Sequence, residues 1–282
     1  MPLRRMNKSS IWRAVVWLAL FHFNPAHAAT TAGVIELVEG DVTITRGGNA
    51  ALVPIVGDSL EEGDTIATGA EGELQVGMED GGFTAVRPNT RIKIEAYRAE
   101  GDANDKSILS LFKGTFRSIT GWIGKYSRKN YQIKTPTATI GIRGTDHEPL
   151  YIPEHAVRPE GEPGLYDKVN EGESFIQNKQ GKIFVKPNQA GFVPYHGRAA
   201  PRLLGHIPDF FRATHNEQRI MERREVLKQQ IEQRRLDRHK FVQQKRAEQR
   251  KKSMGEKAPH QKQMRNELLK EKQHGNRAVK ER

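Results

Sequence analysis

Residues Asn130 to Pro149 read Asn-Tyr-Gln-Ile-Lys-Thr-Pro-Thr-Ala-Thr-Ile-Gly-Ile-Arg-Gly-Thr-Asp-His-Glu-Pro. Apolar and β-branched residues alternate with polar ones through Tyr131, Ile133 and Thr135, and again at Ile140 and Ile142. That period of two marks short strands with one buried face. Pro136 interrupts the first run because proline has no ladder donor, while Gly141 and Gly144 bracket Arg143 where the chain can bend or be closely approached. The stretch predicts two short strands around a fixed corner. Pro136 and Gly144 set its backbone, and the side chains of Arg143 and Thr145 are expected to tie the second turn.

The same signals extend outward from Gly33 to Tyr195. Leu74, Val76 and Met78 alternate with polar neighbours, as do Ile92, Ile94 and Ala96. Turn residues recur at Gly47-Gly48, Gly57-Asp58, Gly63-Asp64, Asp80-Gly81-Gly82, Pro88-Asn89 and Gly101-Asp102. Many short strands with frequent turns predict an all-β sandwich, barrel or solenoid. A weak repeat supports layering: Glu39-Gly40-Asp41-Val42-Thr43-Ile44 is similar to Glu171-Gly172-Glu173-Ser174-Phe175-Ile176, and Lys113-Gly114-Thr115-Phe116 is a looser third copy.

Several of these blocks resemble the FecR domain family of bacterial envelope proteins. Thr135-Pro136-Thr137-Ala138 followed by Gly141-Ile142-Arg143-Gly144-Thr145 is the most specific match. Gly40-Asp41-Val42-Thr43-Ile44, the paired turns from Gly57-Asp58 to Gly63-Asp64, Asp80-Gly81-Gly82, Pro88-Asn89-Thr90 and Leu111-Phe112-Lys113-Gly114 follow the family's order. The resemblance covers roughly Gly33 to Thr145 and continues weakly to Val193. It implies a short-stranded β-domain with a binding or signalling role. The best-known members place a cytoplasmic anti-sigma segment before a membrane span; neither is expected here.

The N-terminus reads as an export signal. Arg4, Arg5, Lys8 and Arg13 precede an apolar core, Ala14 to Phe23, and Ala26-His27-Ala28 offers a cleavage site. A core of about ten residues is roughly 15 Å of helix, too short for a bilayer core of about 30 Å. Cleavage near Ala28 predicts a periplasmic or secreted protein without a transmembrane span. With 0 cysteines, thiol chemistry and disulfides are excluded.

Charge is unevenly placed. The whole chain is +12, and residues 212–282 alone, with 22 Lys+Arg and 10 Asp+Glu, account for all of it. Asn216 to Lys252 lacks proline and glycine and is rich in Glu, Gln, Arg and Lys, so a long exposed helix is expected there. Ile220, Leu227, Ile231 and Val242 share part of one face, but Arg224, Arg234 and Arg238 break a coiled-coil seam. The expected organisation is signal peptide 1–28, FecR-type β-domain 29–145, Pro-rich surface loop 146–165, β-rich continuation 166–200, and basic helical or disordered tail 201–282.

Asp146-His147-Glu148 is the one cluster with metal or acid–base character. In a strand, Asp146 and Glu148 share a face and His147 takes the other, a poor arrangement for three ligands on one ion. The favoured reading is that these side chains bond the corner or pair Arg143. The Gly-Asp pairs do not follow the ligand spacing of a calcium loop, and no linear hydrolase, Walker or dinucleotide motif is present. The chain is therefore read as non-enzymatic, with no catalytic residue and no cofactor, and with metal binding at Asp146, His147 and Glu148 a disfavoured alternative. Its expected partner is an envelope protein or glycan, with an anionic envelope polymer on the tail. Nucleic acid is disfavoured, because Phe241 is the only aromatic residue after Phe211 and offers no stacking platform. Polyanion binding through the tail is the alternative function.

Overall fold

In the computed structural model of this chain the described residues are 30–126, 128–156, 161–196, 198–211, 213–230 and scattered positions from 232 to 244. The expected signal peptide, 1–28, and the rest of the expected tail lie outside them. Turn chemistry divides the first half into β1 (Thr31–Glu39), β2 (Val42–Thr45), β3 (Ser59–Glu61), β4 (Thr65–Thr68), β5 (Glu73–Met78), β6 (Phe83–Val86) and β7 (Arg91–Arg98). A long β8 (Lys106–Ile119) leads through a short helix, α1 (Trp122–Tyr126), to β9 (Tyr131–Lys134), β10 (Thr139–Ile142) and β11 (Asp146–Ile152). The last strands are β12 (Gly164–Glu171), β13 (Ser174–Asn178), β14 (Gly181–Val185), β15 (Gln189–Pro194) and β16 (Arg202–Leu203), before a helix α2 over 217–230.

The sixteen strands form one continuous mixed sheet folded into two layers. Sheet A runs β3-β1-β5-β6-β8-β11-β12-β15-β16, and sheet B runs β2-β4-β7-β8-β9-β10-β13-β14. Strand β8 belongs to both. Residues Lys106 to Lys113 pair with β7, and within that span Ser107 to Ser110 pair parallel with β9; Gly114 to Ile119 pair with β6 and β11. The bend falls at Gly114, whose φ is 81°. Buried positions are Ser107, Leu109 and Leu111 before it and include Phe116 and Ser118 after it, so the inward phase shifts by one residue across the bend. The Leu111-Phe112-Lys113-Gly114 block thus lies within a single bent strand.

The weak repeat marks the same kind of event. Gly40 (φ 60°) carries the chain from β1 in sheet A to β2 in sheet B, and Gly172 (φ 82°) carries it from β12 to β13. All three glycines sit where the chain changes layer, in a backbone region that disfavours a Cβ. Between the layers, Ile35, Leu74, Val76, Phe116 and Leu165 of sheet A pack with Ile66, Ile92, Leu111, Ile140 and Ile176 of sheet B in one cluster. Gly191 of β15 brings the layers close: a Cβ there would lie 2.7 Å from Ile176 and 2.9 Å from Val185.

Two expectations are corrected. The span 146–165 is not all loop, because β11 lies inside sheet A between β8 and β12. Pro149 is tolerated because the ladder to β8 lapses at Glu148 and Pro149, while Thr115 Oγ1 donates to the Pro149 carbonyl at 2.9 Å. Nor is the start of the tail an exposed helix. Ile220 and Leu227 of α2 are buried against Phe83, Ala85 and Ile119 on the outer face of sheet A.

Gly114→Ala should test the shared strand. A Cβ there would sit 2.6 Å from Thr90 Cα and 2.8 Å from the Asn89 carbonyl oxygen, whereas Gly101, at φ 84°, faces open space. The expected loss is about 3 kcal/mol for Gly114→Ala and about 1 kcal/mol for Gly101→Ala, read from urea midpoints at unchanged m.

Candidate functional site

The corner forms, but main-chain groups hold it. Arg143 N–H donates to the Glu173 carbonyl at 2.7 Å and Gly144 N–H to the Gly124 carbonyl at 3.1 Å. Thr120 Oγ1 accepts from Thr145 N–H at 2.9 Å and donates to its carbonyl at 3.1 Å. Among the described residues the buried Thr145 hydroxyl has no partner, and the Arg143 guanidinium reaches only Glu173, at 3.7 Å. Side-chain ties from Arg143 and Thr145 are thus replaced by ties from Thr120 and from the backbone. Gly144 does take a positive φ, 63°, and Pro136 lies in the turn between β9 and β10, closed by Thr135 and Ala138. Gly141 has a different task. Phe175 lies opposite it across β10 and β13, and a Cβ on Gly141 would come within 2.5 Å of the Phe175 ring.

Strand β11 divides the Asp146-His147-Glu148 cluster between two faces. His147 points inward, its Nδ1 2.8 Å from Asp167 Oδ1, and Ser174 Oγ donates to the other Asp167 oxygen at 2.5 Å. The fold therefore assembles a serine, a histidine and an aspartate that no linear motif announces. Their order prevents nucleophilic catalysis, because the hydroxyl bonds the carboxylate rather than the imidazole. All three are buried, and among the described residues His147 Nε2 has no partner. This is an interior polar tie between β11, β12 and β13.

Asp146 and Glu148 face outward, beneath α2. Arg117 grips Asp146 with two hydrogen bonds, of 2.8 and 2.7 Å, and Arg224 Nε stands 3.1 Å from the same carboxylate. Glu148 accepts from Arg87 at 3.1 Å and from Lys168 at 2.9 Å, and Asn170 donates to both acids. Glu217 in the first turn of α2 closes the array by pairing both Arg87 and Arg117. Neither acid meets Arg143. Among the described residues no group of three potential ligands could hold a metal ion. Burial alone would raise both carboxyl groups; the Arg117 hydrogen bonds and charge outweigh it at Asp146, and the charge of Arg87 with the Asn170 and Lys168 bonds does so at Glu148. Both are held below their ordinary values.

The open surface lies on the opposite layer. The outer face of β9, β10, β13 and β14 forms a cleft of about 1080 Å³ beside the corner. Phe175 and Phe184 meet edge to face at 6.3 Å, and Lys182 Nζ stands 3.6 Å from the Phe175 ring centre and 5.0 Å from that of Phe184. Thr135 to Thr139 wall one end, and Arg143 and Glu173 the other. Phe175 and Phe184 alternate with buried Ile176 and Val185, so outward aromatics in a strand were the available signal. Arg87 and Arg117 gave no comparable signal, since their partners lie 61 and 29 residues away.

Arg117→Met should leave Asp146 without its main partner and cost about 3–5 kcal/mol, measured by denaturant unfolding. A depressed folded pKa contributes stability above the ordinary values of 3.8 for Asp146 and 4.5 for Glu148, and that contribution is lost as pH falls through the lower folded values. Wild-type stability should therefore decline below about pH 4.5, with a shallower decline in Asp146→Asn.

No curated protein matches the chain. Two crystal structures of a provisionally assigned anti-sigma factor from Parabacteroides distasonis are similar, at 2.50 and 1.65 Å resolution. Their identities are 14% and 12% and their TM-scores 0.39 and 0.38; each alignment covers 51% of this chain and 60% of the other. Likeness at that level carries no functional inference. The family model for FecR protein matches residues 64–156, from the second Gly-Asp turn through the corner and β11. Over residues 64–156 the chain is similar to the FecR family.

Proposed function

We propose that the chain is an exported, non-enzymatic FecR-domain protein that acts as a binding or signalling module of the bacterial cell envelope. The FecR domain, a family of envelope regulators, supports a signalling role. The observation that carries the reading is the cleft beside the corner: open, aromatic-floored and walled by the family's own motif. The one grouping that resembles hydrolase machinery, Ser174, Asp167 and His147, is sealed in the core and wired in the wrong order. Among the described residues no helix is long and apolar enough to cross a membrane.

Polyanion binding by the tail is the second reading, favoured by charge. Residues 231–282 hold 17 Lys+Arg against 7 Asp+Glu. Residues 217–230 belong with the body instead, since Arg223, Arg224 and Lys228 are paired with Glu36, Asp146 and Glu171.

Two measurements test these readings. N-terminal sequencing of the protein recovered from a periplasmic fraction should begin at Ala29; a full-length chain confined to the cytoplasm would sink the envelope reading. A photo-crosslinker at Gln177, in the cleft, should capture envelope material equally in the full chain and in one ending at residue 230. Capture that depends on residues 231–282 would transfer the function to the tail.

A further inference from the structure

The cleft on the outer face of sheet B has a chemistry that selects its occupant. Across the register, Gly141 stands opposite Phe175 and Phe175 opposite Phe184, while Thr139, Gln177 and Lys182 form the neighbouring row. Phe184 is 51% exposed, a large apolar surface held on the β14 edge strand. Its neighbour Phe175 is pressed onto Gly141 from one side and covered by the Lys182 ammonium on the other, so the floor cannot collapse.

Cations around this floor lack close acidic partners among the described residues. Lys129, Lys179 and Lys182 line the cleft and form no ion pair among the described residues, and Arg143 meets its one acidic neighbour, Glu173, only at 3.7 Å. The Gln177 side-chain amide, able to donate and accept, lines the cleft. Four cations against one carboxylate attract anions, and the low-dielectric aromatic floor strengthens that attraction.

Resting on the cleft being the ligand-facing surface, we infer that it binds an acidic polysaccharide. A sugar ring presents a flat C–H face to Phe184, hydroxyls in both hydrogen-bonding senses to Gln177 and Thr139, and carboxylates to the lysines. A protein partner would call for an apolar centre depleted in charge, whereas here one exposed ring is surrounded by amides, hydroxyls and lysines. The volume, about 1080 Å³, lies just above the range of small-molecule pockets, about 300–1,000 Å³, and suits a stretch of polymer.

The test uses the mature full-length chain with its tail present in every variant, so that tail binding is a constant background. Calorimetric titration with polygalacturonate should show binding that Phe184→Ala weakens about tenfold. Lys179→Gln with Lys182→Gln should weaken it and flatten its salt dependence. Thermal melting checks that these exposed substitutions leave the fold intact. Polyglutamate, a charge-matched polymer without sugar rings, should bind wild type and Phe184→Ala alike. Equal polygalacturonate affinity in wild type and Phe184→Ala overturns the inference. So does a neutral dextran that binds as tightly as polygalacturonate, or a loss of polyglutamate binding as large as that of the glycan. The Gln177 crosslink separates the two levels: a captured protein defeats the glycan inference but keeps the cleft, and no capture defeats both.

Discussion

One strand, bent at Gly114, serves both layers of this protein. The first half of β8 supplies the centre of sheet B and the second half the centre of sheet A. Nearly everything of functional interest is a consequence of that sharing. The bend at φ 81° needs a residue without Cβ, and it moves the inward phase by one position. Arg117 and Ile119 are thereby turned outward to meet α2, while Phe116 and Ser118 stay in the core. The same strand, through β9, positions the corner and the floor of the cleft.

The two outer faces have opposite fates. Sheet A is covered by α2, which sits on three apolar side chains of the sheet and a ring of charges. Burial of Ile220 and Leu227 is worth about 1.5–3 kcal/mol each. The buried charges specify place more than strength, because desolvation offsets much of their attraction. Glu36 holds one side of the helix and Glu39 holds Asn216 just before it, Asp146 and Glu171 hold the other side, and Glu217 reaches the two central arginines. Sheet B keeps its face open around Phe184. Among the described residues, one layer is thus covered by the chain's own segment and the other is open.

Much of the body was legible along the chain. Period-two alternation and Gly-Asp turns located the strands, and the Thr-Pro-Thr-Ala and Gly-Ile-Arg-Gly-Thr blocks carried the family resemblance. The opposed faces of Asp146 and His147 followed from strand geometry alone. Partners were not legible. Arg143 is close to Asp146 in sequence but points to Glu173, and Arg117 and Arg87 reach the acids only because β8 and β6 are laid beside β11. Pro149 suggested a loop because its missing donor is a local fact, whereas the gap in the ladder that accepts it belongs to the neighbouring strand.

Arg224 draws the line most clearly. By itself the sequence determined that this arginine interrupts an apolar seam. Only the tertiary structure decided that it docks the helix, by bringing Asp146 and Glu171 to its side. The physical reason is range. Alternation, turn geometry and export signals are properties of neighbouring residues and are written in order along the chain. Pairing between charges 53 and 78 residues apart depends on strand register and layer packing, which no local pattern records.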